Sequence, residues 1–400
     1  MKYPYWKMAS GIYLNYLLLG MINIILSSNM SFLSQQLGVE RTDISSLISV
    51  VGIGHLLSIN VSGKLSDRYG RKPLIVTAVF LYMIFLIGIP FTAQYKYAMG
   101  LALIAGICNS LLDSGSYPAL NEGFPNAAGT VTVLLKAFIS IGAVLLPIII
   151  AFIITNQMFY GYSFFVPAAL FLLSGLFLIR TNFPDPTKNK HKKQQVDDSH
   201  IKQPVDPAKL KFWKEGVALI LNGFASVSLF NVVQIWLPTF GQDVLHLSKV
   251  KSVELLSYYG IGGILSVLLL AILLKRLMKP ITAMVIYPCM ALITLIVLQF
   301  NHNPTILTVV SFFLGFSMSG IFQLTATVMM ELFSEKKGAS VSYVSAAASI
   351  AFIVVPFVTS LLTKYLGVSS VFIFDICLAC VSVVLGIYIF KRYKAISVYN

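Results

Sequence analysis

Three ionisable side chains, His55, Asp113 and Lys136, sit inside stretches of sequence that are otherwise apolar. A carboxyl, an ammonium and an imidazole in such surroundings form a set able to bind, hold and pass a proton. Counting inward from the nearest charged turn, each lies about eight residues deep, roughly 12 Å at 1.5 Å per helical residue. Charged groups at such depth are expensive and usually mark pathways or coupling sites. Two readings of the trio stand side by side. In one, Asp113 takes up and releases a coupling proton, Lys136 is its charge partner and His55 is close by. In the other, Asp113 and Lys136 only neutralise each other and His55 is a packing histidine.

The elements that must position these groups are set by composition. Of 400 residues, 57% are hydrophobic and only 11% charged, with a mean hydropathy of +0.83, whereas soluble domains are about 25% charged. Such a chain cannot cover itself in water, and a lipid bilayer is the partner it requires. Apolar runs long enough to span fall near 11–31, 43–62, 73–93, 98–120, 130–155, 161–180, 214–238, 252–274, 280–299, 304–328, 339–363 and 367–390. Each matches the roughly 20 residues of a spanning helix, and barrel strands are shorter and alternate. The expected fold is therefore all-α and integral to the membrane, with twelve transmembrane helices. The first run is too long, and lacks the small-residue cleavage site, for a removable signal peptide.

The net charge of +14 does not point to nucleic acid, because it is sorted by loop. With the N-terminus inside, 23 of the 29 Lys and Arg fall on the inner side, so the positive-inside rule predicts a multi-pass protein of the cell membrane with both termini cytoplasmic. Cys108, Cys289, Cys377 and Cys380 all lie in apolar runs and read as small packing residues rather than a disulfide or redox set. No nucleotide-binding Gly-rich loop with Lys-Ser/Thr and no metal-ligand spacing is present. The expectation is therefore a protein that is not an enzyme, without a cofactor or metal, and monomeric.

A polar stretch at 181–213, rich in Lys and Pro, divides the chain into an N-terminal six-helix bundle, 1–180, and a C-terminal six-helix bundle, 214–400. The halves repeat one another. A shift of 209 superposes Gly106 on Gly315, Ser110 on Ser319, Glu122 on Glu331, Phe124 on Phe333 and Pro147 on Pro356, among nine identities over 42 positions without a gap. Lys72-Pro73 meets Lys279-Pro280 at a nearby offset. Two parallel repeats are one plan of alternating-access transporters, with substrate held near the midplane.

Between the second and third runs the chain reads Gly63-Lys64-Leu65-Ser66-Asp67-Arg68-Tyr69-Gly70-Arg71-Lys72-Pro73. Gly63 reads as a point of close helix packing, Gly70 as a tight turn and Pro73 as the start of the next helix. This stretch resembles the signature loop of the major facilitator superfamily of secondary transporters, with every main position filled. The resemblance implies the twelve-helix fold in two pseudo-repeat bundles. It also implies a gating loop of Gly63, Asp67, Arg68, Gly70 and Arg71, in which Asp67 and Arg71 form a charge relay that locks the halves. The second-half counterpart, Leu274 to Pro280, has lost the Asp and both Gly, so such a latch would be asymmetric.

The run Asp113-Ser114-Gly115-Ser116-Tyr117-Pro118 and the run Gly142 to Pro147 are similar to segments of fucose–proton symporter relatives, although the first helix has no acidic residue. That resemblance implies proton-coupled uptake of a sugar or similar small metabolite. Proton-coupled export of drugs or metabolites, and a sensor built on the same fold, are the alternatives. In the helices the family places around its central path, Asn15, Asn23, Asn222, Asn231, Gln234 and Gln323 are candidates to line the substrate cavity. Tyr16, Trp236, Tyr258, Tyr259 and Tyr343 are candidates to stack on a ring. Asp375, in the last run, has no place in this scheme.

Overall fold

The computed structural model describes residues 5–125, 128–184, 210–276, 278–301, 303–333 and 337–396. The described residues are almost wholly helical, in fourteen α-helices. These are α1 (Trp6–Ser28), α2 (Met30–Leu37), α3 (Arg41–Tyr69), α4 (Arg71–Phe91), α5 (Tyr95–Gly123), α6 (Ala128–Thr155) and α7 (Tyr162–Ile179) in the first half. The second half holds α8 (Val217–Asp243), α9 (Lys249–Arg276), α10 (Pro280–Phe300), α11 (Pro304–Met318), α12 (Ile321–Leu332), α13 (Lys337–Leu366) and α14 (Val368–Ile396). A single π-turn, Phe212–Gly216, leads into α8. Twelve stretches are long and apolar enough to cross a membrane, α11 and α12 together making one of them.

Contacts gather into two compact units, Met1–Asp197 and Asp198–Asn400. Most of the polar stretch expected to link the halves, 185–209, lies outside the described residues. Within each unit, the second and fourth spans cross at matched glycines. A Cβ at Gly106 would collide with the carbonyl oxygen of Val51, and one at Gly315 with that of Tyr259. Each unit opens on an aromatic-Trp-Lys triplet, Tyr5-Trp6-Lys7 and Phe212-Trp213-Lys214. Both tryptophans are exposed, as suits rings that anchor a helix end at a membrane interface.

The signature stretch is more helical than a loop. α3 runs through to Tyr69 and α4 starts at Arg71, leaving Gly70 as the single break. Gly70 has φ +92°, a backbone region that favours glycine, so its role as the turn residue is physical. Gly63 differs from the expectation of close packing: a Cβ there would have nothing within 4 Å. Pro73 falls in the first turn of α4, where a missing N–H leaves no helical bond unmade.

Candidate functional site

α5 carries Asp113 to the middle of the first unit, where two side chains from other helices meet its carboxyl. The Tyr16 hydroxyl, from α1, donates to Oδ1 at 2.6 Å. His55 Nε2, from α3, lies 3.6 Å from Oδ2. Asp113 and His55 keep 33% and 27% of their side-chain surface exposed, whereas Tyr16 is fully buried. The Tyr117 ring, one helical turn beyond Asp113, meets the Tyr16 ring edge-on at 5.8 Å between centroids. One carboxyl oxygen is thus fixed by a buried phenol, and the other faces an imidazole from a partly open position. A proton on His55 would make the contact an ion pair; a proton on Asp113 would leave it neutral. That is the chemistry of a switchable proton site.

Lys136 is the third member expected from sequence. It is half-buried on α6, and the Ser140 hydroxyl donates to its backbone carbonyl at 3.0 Å. Tyr16 is a partner of Asp113 not expected from sequence. Depth along a helix finds residues at one level but not the side of the helix they face, and a stacking role for Tyr16 does not use its hydroxyl.

A second polar centre lies where α3 meets α4. Arg71 Nη1 donates to Asp67 Oδ1 and to Ser66 Oγ, both at 2.7 Å. Its Nη2 and Nε donate to Glu122 Oε1 on α5 at 3.0 and 3.3 Å. Ser66 in turn donates to the backbone carbonyl of Ser114 at 2.7 Å, the residue next to Asp113. Asp67 is 77% exposed, while Arg71 and Glu122 are at 11% and 16%, so the inward contact of Arg71 is the shielded one. Arg68 points away, its guanidinium 5.3 Å from the centre of the exposed Tyr69 ring. In the sequence, the signal for Glu122 is its repeat match to Glu331.

The expected cavity residues divide. Asn15 and Asn222 are fully buried in helix packing, which corrects their assignment to a cavity. Asn15 Oδ1 accepts from Ser174 on α7 at 2.6 Å, and Asn222 Oδ1 accepts from Ser382 on α14 at 2.7 Å. These are the same interhelical tie made once in each unit. Asn231 and Gln234 are also buried, at 4% and 8% exposure. Asn23 is exposed and Gln323 half-buried. Of the rings, Tyr16, Trp236 and Tyr259 are buried; Trp236 Nε1 donates to Thr359 at 2.8 Å. Tyr258 and Tyr343 are exposed.

The chain matches the profile described as Major Facilitator Superfamily over residues 12–339 and 289–398. It is 46% identical over 391 residues to the uncharacterized MFS-type transporter YfkL of Bacillus subtilis (strain 168), covering 98% of both chains. It is 34% identical over 397 residues to the inner membrane transport protein YdiN of Escherichia coli (strain K12), covering 99% of this chain and 92% of that one. Among solved structures, a D-xylose-proton symporter shares the fold with a TM-score of 0.75 at 18% identity, over 96% of this chain and 97% of that one. A mutant of the nucleoside transporter NupG does so with a TM-score of 0.74 at 15% identity, over 97% and 99%.

Proposed function

From the premise that this chain belongs to the major facilitator superfamily, and so is a transporter of small solutes and not an enzyme, we propose that it couples solute uptake to protons through Asp113. The observation that carries this reading is the contact of one carboxyl with Tyr16 at 2.6 Å and His55 at 3.6 Å, partly exposed within spanning helices. Asp113 binds the proton, His55 exchanges it, and Tyr16 holds the unprotonated oxygen in place. The solute is a sugar or a similarly sized polar metabolite, moved by alternating access across the cell membrane with both termini cytoplasmic. The similarity of Asp113–Pro118 to the fucose–proton symporter segment supports this, as do the sugar and nucleoside named for the two solved neighbours. Arg71, held to Asp67 and Glu122, braces the inner ends of α3, α4 and α5 in this scheme.

The test begins with thermal unfolding of the purified protein in the presence of pentoses, hexoses, nucleosides and lipophilic cations. A ligand at 100 times its Kd stabilises the folded state by about 2.7 kcal/mol, a readable shift. With the stabilising solute in proteoliposomes, Asp113→Asn should abolish proton-driven accumulation and leave counterflow exchange intact. Unchanged accumulation would remove Asp113 from the coupling role, and stabilisation by lipophilic cations alone would favour export over uptake.

A further inference from the structure

The second unit contains an acid that the proposed mechanism does not use. Asp375 lies on the packed stripe of α14, between Phe372, which meets the Phe240 ring of α8 at 4.7 Å, and Ser382, which bonds Asn222 of α8. Its exposure is 0%, and neither carboxyl oxygen has a hydrogen-bond partner among the described residues. The shift that pairs Ser174 with Ser382 puts Pro167 opposite Asp375, so the first unit has no matching acid.

Among the described residues, the ionisable groups on the helices around it do not compensate it. On α14, Arg392 is engaged by Glu215 at 2.6 Å, about 25 Å away along the helix at 1.5 Å per residue. On α8, Asp243 stands at the last position. On α10, Tyr287 receives the Ser266 hydroxyl at 3.3 Å. On α13, Lys364 sits in the last turn and forms no pair with Asp375. Tyr259 on α9 is close enough to feel a charge at Asp375, but its hydroxyl donates to the Phe230 carbonyl at 3.4 Å. The buried amide of Asn231 Nδ2 makes no bond and so does not reach it either.

A carboxylate shielded from solvent without a donor or cation is among the costliest things to bury, and a group so placed neutralises instead. The neutral form needs one ligand, a proton. We propose that Asp375 is a second proton-binding site, in the C-terminal unit and independent of Asp113, and that it holds its proton in the conformation described here. Ionisation then requires α14 to leave its present packing or water to enter beside it, so the protonation of Asp375 and the packing of α14 are linked.

Infrared spectroscopy reads this directly, because a protonated carboxyl has a carbonyl stretch that a carboxylate lacks. The measurement compares Asp113→Asn with Asp113→Asn/Asp375→Asn, from neutral to moderately alkaline pH. The expected result is a protonated-carboxyl band in the single variant that disappears completely in the double variant. An unchanged protonated-carboxyl band in the double variant would show Asp375 ionised and overturn the proposal. Should the double variant fail to fold, the single variant alone decides. A band that persists to moderately alkaline pH supports the site, and its absence at neutral pH refutes it.

Discussion

In the second unit, Asn222 closes a three-helix tie. Its oxygen accepts from Ser382 on α14 and its nitrogen donates to Thr325 on α12 at 2.8 Å. In the first unit, offsets of 207 to 209 place Asn15, Ser174 and Ser116 at the same positions. There the Asn15–Ser174 bond is made, but Asn15 Nδ2 is buried without a partner. Ser116 Oγ lies near the Tyr16 hydroxyl and completes no well-formed hydrogen bond. The second bond is therefore absent on the side that carries Asp113. The reverse holds at the end of the fourth and tenth spans. Glu122 is clamped by Arg71, while its counterpart Glu331 has no ion pair among the described residues and feels the exposed Lys279, since Met278 stands where Arg71 would be. Duplication kept the framework of both units. The first unit concentrates its polar contacts on α3 and α5, around the proposed proton site, and the second spends them joining α8 to α12 and α14.

The largest effect should come from breaking the Arg71 clamp. Arg71→Met leaves Glu122 shielded and facing no guanidinium, and removing one partner of a buried ion pair costs about 3 kcal/mol or more. Adding Glu122→Gln should recover most of that loss, because the stranded charge is then gone. In the second unit, Lys279→Met should cost less than about 1 kcal/mol, as exposed charges do. Thermal or denaturant unfolding of the four proteins in one detergent measures all of this. A small loss for Arg71→Met would mean that the two units do not differ at this end.

Next in size are the two asparagines. Asn222→Ala strands a buried serine hydroxyl and removes the donor to Thr325, for a cost of about 2 kcal/mol. Asn15→Ala breaks only one bond and should cost about 1 kcal/mol, within the range of interhelical hydrogen bonds in membranes. Equal losses in unfolding assays would show that Asn15 makes a second bond in solution, and the asymmetry would fall.

Twelve spans and the break at Gly70 were legible because hydropathy and glycine backbone preference act locally. The common level of His55 and Asp113 was legible because helical rise is fixed, and the two side chains do meet. What a polar residue in a spanning helix faces depends on its neighbour's register. Asn15 and Asn222 read the same as Asn23 until α7 and α14 supply Ser174 and Ser382. The duplicated Asn–Ser pair was itself visible at offsets of 207 and 208, but these differ from the 209 of the gap-free alignment. Tyr16 and Glu122 were hidden in the same way, each needing α5 or α4 to reveal its partner. Gly63 was misjudged because a glycine motif was read as packing where the structure has open space.

The smallest and most discriminating prediction concerns the hydroxyls at the third position. Thr325 donates to the Ile321 carbonyl at 2.8 Å while accepting from Asn222. Thr325→Val keeps the shape but leaves the Asn222 amide without its acceptor, which should cost about 1 kcal/mol. Ser116 has no such bond to lose, so Ser116→Ala should change stability by less than about 0.5 kcal/mol, since deleting an unsatisfied buried hydroxyl removes as much desolvation cost as packing. Paired unfolding measurements on the two variants isolate the one bond by which the units differ. Matching losses would place an Asn15–Ser116 bond in the solution state, against the arrangement described here. A neutral Ser116→Ala beside a costly Thr325→Val would confine the open position to the unit that holds Asp113.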